Sequence, residues 1–257
     1  MNRLIANQLT LHAGDCRVCE QLSWTPVGGE IWVVLGRNGV GKTTLLHSMA
    51  GLHRPHAGDL KLAGAAIDTL PPRTRAKHIG LLTQLASDPL PTSVAARCLS
   101  GLAPHRPWWA WDNAADRAAA VAMLHRMDLA GFETRSTHTL SGGEQQRLAL
   151  ATLALHDPDI WLLDEPDNHL DIRHQHGLLV DLLSTARDAG KLIVIATHDV
   201  NLALRIGTHT LALLGNGETR QGRLAELLTT RHLSDIFQTP LRRIEQDGIA
   251  AIAPCYS

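Results

Sequence analysis

Three apolar runs set the frame of this chain: Ile31 to Leu35, Ile160 to Leu163 and Leu192 to Ala196. Each is short, uninterrupted and β-prone, the pattern of a strand buried on both faces of a parallel sheet. His78 to Thr83 and Thr210 to Leu214 read as further strands of the same kind. Between them the period changes. Thr44 to Ala50, Gly142 to His156, Ile172 to Ala189 and Asn201 to Arg205 space their apolar residues for helices, and Arg73 to Lys77 begins as a short helix after Pro71-Pro72. Ahead of this β/α alternation, Leu4 to Leu11 and Val18 to Ser23 alternate with period two, and Gly58 to Ile67 reads as a hairpin. They predict an antiparallel flank on the α/β core. Past Gly222 a helix carrying Leu224, Leu227 and Leu228 precedes a terminal strand pair, Leu241 to Glu245 and Gly248 to Ala253.

From about Leu85 to Thr139 the rhythm breaks. Alanines are frequent and apolar positions fall at helical spacing, most clearly from Val121 to Leu129. The expected organisation is one domain over 1–257, with a core and β flank at 1–84 and 140–257 and a helical insertion at 85–139. Pro107-Trp108-Trp109-Ala110-Trp111 lies in the insertion and is expected to pack locally, the other reading being a partner-docking surface.

Composition narrows the partners. A formal charge of −1 leaves no global electrostatic footprint for nucleic acid or an anionic membrane, and no nucleic acid is expected. No apolar run approaches the length of a membrane span, and the first residues lack the apolar core of a secretory signal, so a cytosolic chain is expected. The four cysteines make no disulfide scaffold. Cys16 and Cys19 form a lone C-x-x-C with no second pair, and structural or incidental thiols are expected there.

Chemistry enters at the end of the first buried run. Gly36-Arg37-Asn38-Gly39-Val40-Gly41-Lys42-Thr43 satisfies G-x-x-x-x-G-K-[ST] between a strand and a helix. Glycines let the backbone turn with N–H groups pointing inward, where side chains at Gly39 or Gly41 would obstruct a phosphate, and the helix N-terminus adds partial positive charge. Lys42 is placed for the β- and γ-phosphates, Thr43 for Mg²⁺ and Thr44 for the α-phosphate. Asp164 and Glu165 follow the second run, at the strand end where open α/β sheets place ligands. Asp164 is expected to hold Mg²⁺ through water, and Glu165 to polarise the water that attacks the γ-phosphate. Ser141 and Glu144 have capping-box spacing, making Ser141 the N-cap of a helix whose first N–H groups, at Gly142 and Gly143, are uncluttered.

Gly36 to Thr43, Gln84, Leu140-Ser141-Gly142-Gly143-Glu144-Gln145-Gln146, Ile160 to Glu165, Asp171 and His198, in that order, resemble the nucleotide-binding subunits of ABC transporters over essentially the whole chain. The resemblance implies a P-loop NTPase core, ATP and Mg²⁺ as ligands, and a head-to-tail homodimer with ATP between the cradle of one copy and Ser141 to Gly143 of the other. It implies that Gln84 senses the γ-phosphate and Mg²⁺ and links them to the helical insertion, that His198 contacts the γ-phosphate, and that Asp171 and Glu144 belong to the nucleotide interface. Pro166-Asp167-Asn168-His169-Leu170-Asp171-Ile172-Arg173-His174-Gln175 is similar to P-T-N-H-L-D-I-x-H-Q of importers for iron-siderophore, haem and cobalamin chelates, with Asp167 in place of threonine. The implied system is a metal-chelate importer with a transmembrane permease and a substrate-binding protein, the ATPase being peripheral on the cytoplasmic face of the membrane. An ABC ATPase for another cargo and a non-transport ATPase of the same core are the alternatives. The aromatic residue that stacks on adenine in that family is missing near Ala13; His12 or Trp24 as substitute, or a loosely held adenine, are the readings left open.

Overall fold

The computed structural model describes residues 4–83, 91–107, 109–171, 175–246 and 249–255. Its centre is a six-stranded sheet of β3 (Ile31–Leu35), β6 (Ile79–Leu82), β7 (Ile160–Asp164), β8 (Leu192–Ala196), β9 (His209–Leu213) and β10 (Thr219–Arg223), in the order β10-β9-β3-β8-β7-β6. All neighbours run parallel except β9 and β10. Alternate residues of β8 explain why the run is apolar throughout. Leu192, Val194 and Ala196 enter one apolar cluster, with Trp32, Val34 and Leu162, while Ile193 and Ile195 enter another with Trp161 and Leu163. Each buried Leu, Ile or Val side chain among them contributes about 1.5–3 kcal/mol by leaving water.

The first cluster continues into a second sheet, β2-β1-β4-β5, formed by β1 (Leu4–Ala13), β2 (Cys16–Trp24), β4 (Ala57–Leu62) and β5 (Ala65–Ala66). This is the antiparallel flank that the alternating stretches predict. Between the sheets lies α1 (Lys42–Met49), whose Leu45, Leu46 and Met49 are fully buried. Cys19 is buried on β2, and burial pushes its thiol up to about 11, so it behaves as an apolar side chain.

The second cluster joins the sheet to helices of the insertion. Val94 and Cys98 of α3 (Val94–Leu99) and Ala120 and Leu124 of α4 (Ala114–Arg126) pack with Leu148, Leu150 and Ala151 of α5 (Gly142–His156). The tryptophan segment departs from the expected local packing: Trp109 is 65% and Trp111 93% exposed, and Trp108 lies outside the described residues. The helix expected from Ile172 is also different. Residues 172–174 lie outside the described residues, Gln175–Leu179 form a π-helical turn, and α6 runs over Val180–Asp188.

A third cluster holds the C-terminal part, with Leu224, Leu228, Leu233, Ile236 and Ile252 against Val33 and Leu35. There β11 (Leu241–Gln246) and β12 (Ile249–Pro254) form the expected terminal strand pair. Among the described residues, no helix is long and apolar enough to cross a membrane.

Candidate functional site: a phosphate cradle at the sheet edge

Sheet register brings the sequence motifs together. Val34 pairs with Ala196 and Asp164 pairs with Ala196, so β3, β8 and β7 end at one level. The residues that follow them, Gly36 to Thr43, Glu165 and Thr197-His198, therefore emerge together at the carboxyl end of the sheet. Ala13, Asn38, Gly39, the run Gly41 to Thr44, Asp164, Glu165 and His198 line a cleft of about 390 Å³ at that end.

The cradle is built by strain and packing together. Gly39 and Gly41 have φ of 77° and 102°, where side chains are disfavoured. The two glycines differ in reason. A Cβ at Gly39 would meet no protein atom within 4 Å, so its space is left open for a ligand, whereas one at Gly41 would stand 2.4 Å from the Val18 side chain. Gly41 is thus required by the β flank as well as by the left-handed turn of the loop. As N-cap of α1 it also places the helix start: the first internal bond runs from Leu45 N–H to Gly41 C=O at 2.9 Å, so the N–H groups of Lys42, Thr43 and Thr44 precede it. The Arg37 side chain leaves the cleft to donate to Gln238.

Lys42 is buried, with Nζ donating to the carbonyls of Gly36 at 2.8 Å and Arg37 at 3.2 Å. Burial lowers its pKa, opposed by the negative charges of Glu165 and Asp164. Thr43 Oγ1 donates to Asp164 Oδ2 at 2.6 Å. Burial raises the Asp164 pKa, the Thr43 bond opposes that, and Glu165 adds like-charge repulsion. A buried carboxylate beside a hydroxyl and a second carboxylate suits a hard divalent cation, which would relieve both penalties. Among the described residues no cluster of three His, Cys, Asp or Glu could hold a metal alone.

Glu165 Oε1 lies 3.3 Å from His198 Nδ1, and Glu165 Oε2 accepts from Asn168 Nδ2 at 2.5 Å. His198 is exposed toward the cleft, and the helix after it is capped by Asp199, whose Oδ1 accepts from Asn201 and Leu202 N–H. Gln84 lies outside the described residues; β6 ends two residues before it. Asp171 is exposed at the end of the loop after β7.

Ser141, Gly142, Gly143 and Glu144 do not line the cleft. They form the capping box that their spacing predicts: Ser141 Oγ accepts from Glu144 N–H at 3.3 Å, and Glu144 Oε2 accepts from Ser141 N–H at 2.7 Å. That second bond is the main cause holding the Glu144 carboxyl below its ordinary value. The paired glycines have a cause within the chain as well. A Cβ at Gly143 would stand 2.8 Å from the His169 carbonyl oxygen, and one at Gly142 3.2 Å from the His169 ring. The helix start is seated directly on the loop after β7.

For the base, neither expected substitute offers a free ring. Trp24 is 1% exposed, edge-on to Trp32 at 5.4 Å, and so is excluded. His12 is engaged with His56, ring centroids 4.2 Å apart. Ala13 itself lines the cleft.

Residues 19–168 match the family model described as ABC transporter. The chain belongs to the ABC transporter ATP-binding family. This ABC ATPase is 34% identical over 255 residues to YusV of Bacillus subtilis strain 168, named a probable siderophore transport system ATP-binding protein, covering 99% of this chain and 92% of the relative. Its fold matches a solved metal-chelate type ABC transporter in an inward-facing conformation with a TM-score of 0.85 at 27% identity, covering 100% of this chain and 98% of the other. The dimeric ATP-binding cassette MJ0796, bound to ADP and Pi in a post-hydrolysis state, matches with a TM-score of 0.75 at 26% identity, over 86% of this chain and 99% of the other.

Proposed function

We propose that this ABC ATPase powers uptake of a metal chelate, of the iron-siderophore, haem or cobalamin class, through a separate transmembrane permease. It would sit peripherally on the cytoplasmic face of the membrane and work with a substrate-binding protein that delivers cargo. The observation that carries the mechanism is the separation of the site into halves. Cradle, carboxylates and His198 share one cleft, while Ser141, Gly142 and Gly143 at the start of α5 do not line it. In a head-to-tail homodimer each cleft receives Ser141 to Gly143 from the other copy, and Glu144 and Asp171 lie at the same interface.

The roles follow from chemistry. Lys42 and the first N–H groups of α1 bind the phosphates of ATP, and Thr43, Asp164 and Gln84 hold Mg²⁺. The cation supplies charge neutralisation along the phosphates when bound. Glu165 accepts the proton of the attacking water, His198 orients beside the γ-phosphate, and Gln84 relays the state of the site to the helical insertion. Cargo class rests on the likeness to YusV and to the metal-chelate type transporter, together with the Pro166 to Asp171 stretch.

A tagged chain expressed in its own host under iron starvation should bring down a polytopic membrane protein. Liposomes holding that complex, loaded with ATP and Mg²⁺ on the side of the ATPase, should accumulate a ferric chelate added with its binding protein. Purification free of any membrane protein, or a complex that moves no ferric or corrinoid chelate, contradicts the reading.

A further inference from the structure

The loop after β7 holds a side chain in contact with Glu165 that the proposed mechanism leaves without a role, Asn168. Glu165 leaves the strand in a left-handed conformation, φ 49°, uncommon for a residue with a side chain. Its N–H donates to Ala196 C=O at 2.8 Å, tying it to β8. Four residues on, His169 is also left-handed, φ 64°, and covers Gly142 and Gly143. The buried bond from Gln146 Nε2 to Pro166 C=O, 2.9 Å, fastens the same loop to α5. Both ends are therefore anchored, one on the sheet and one on the helix start.

Asn168 sits inside this frame. Its N–H closes the turn on Glu165 C=O at 3.2 Å, and its Nδ2 reaches Glu165 Oε2 at 2.5 Å. An ionised carboxylate only accepts hydrogen bonds, so the amide must present its nitrogen there. With Oε2 taken by Asn168 and Oε1 facing His198 at 3.3 Å, the carboxylate is held at both oxygens. A bond of this charge-assisted kind is among the stronger side-chain bonds.

We infer that Asn168 is a positioning residue for ATP hydrolysis, fixing the Glu165 carboxylate in the orientation that takes the proton of the attacking water. The inference rests on the proposed role of Glu165 as base. Asn168 does not line the phosphate cleft, so its loss acts on the rate and leaves nucleotide affinity alone. Misplacing a reacting group costs rate even where every reacting atom remains.

The test is steady-state ATP hydrolysis by the full chain carrying Asn168→Ala or Asn168→Asp, with KM and thermal midpoint measured for both. Asn168→Ala should lower kcat by about tenfold with KM within about twofold of the parent. Asn168→Asp should lower kcat further, because an isosteric acceptor repels Glu165 in place of holding it. Asn168→Gln, which keeps the donor, should recover part of the loss seen with alanine. A purely structural role reverses the first order, since aspartate matches asparagine in shape and turn preference. Asp milder than Ala, or a raised KM at unchanged kcat, overturns the inference. Should Asn168→Asp fail to fold, the kcat and KM of Asn168→Ala decide. Adding Asn168→Ala to Glu165→Gln should cause no further loss. Parent-rate turnover by Glu165→Gln sinks the role of Glu165 itself; inactive Glu165→Gln beside parent-rate Asn168→Ala sinks only that of Asn168.

Discussion

Glu165→Gln abolishes turnover: kcat for ATP falls by at least about 100-fold, while ATP affinity stays within about twofold of the parent. The magnitude follows from what the position can supply. General-base assistance is worth roughly 10²–10⁴ in rate, and phosphoryl transfer leaves the protein little to do besides position groups and stabilise charge. Glutamine matches glutamate in size, so the backbone bond to Ala196 and the contact with Asn168 survive, while the basicity and the negative charge are lost. Because binding persists without turnover, the variant should accumulate as closed dimers with ATP, visible as a shift to twice the mass on size exclusion. Hydrolysis by Glu165→Gln at the parent rate means that the base lies elsewhere.

Lys42→Ala has the opposite signature. Affinity for ATP falls by at least about tenfold, measured by equilibrium binding, and turnover at subsaturating ATP falls with it. The ammonium is buried, which lowers its pKa, and the neighbouring Glu165 and Asp164 oppose that lowering. Its removal takes away the one buried cation described at the cleft and leaves two neighbouring carboxylates to face the phosphates. Nζ also bonds the Gly36 and Arg37 carbonyls, so the loop loses two hydrogen bonds. An unchanged thermal midpoint separates lost phosphate binding from a collapsed cradle. Parent-like affinity in a folded Lys42→Ala chain contradicts the assignment.

Much of the core was legible because local chemistry determined it. Runs such as Ile160 to Leu163 are apolar at every position because both sheet faces are covered, and no other element of that length needs it. Ser141 and Glu144 announce their helix start because the capping box is closed within four residues. The illegible features depend on residues far apart in sequence. Nothing near Gly41 reveals that Val18 presses on it, and nothing near Gly142 or Gly143 reveals His169. Trp24 looked available for a base until the Trp32 edge and the packed flank covered it. The left-handed backbone at Glu165 has no signal in the residue type, since glutamate is disfavoured there and only the anchored loop keeps it.

The two-copy site is the claim on which the mechanism depends, and mixing two inactive chains tests it most directly. Ser141→Arg blocks the helix start that a chain offers to its partner, and Glu165→Gln removes the base from a chain's own cleft. In a head-to-tail mixed dimer, the intact cleft of the first chain meets the intact Ser141 of the second. Equal amounts should therefore regain about a quarter of the parent ATPase rate, from half the dimers being mixed with one whole site each. A mixture as inactive as its parts contradicts a shared site.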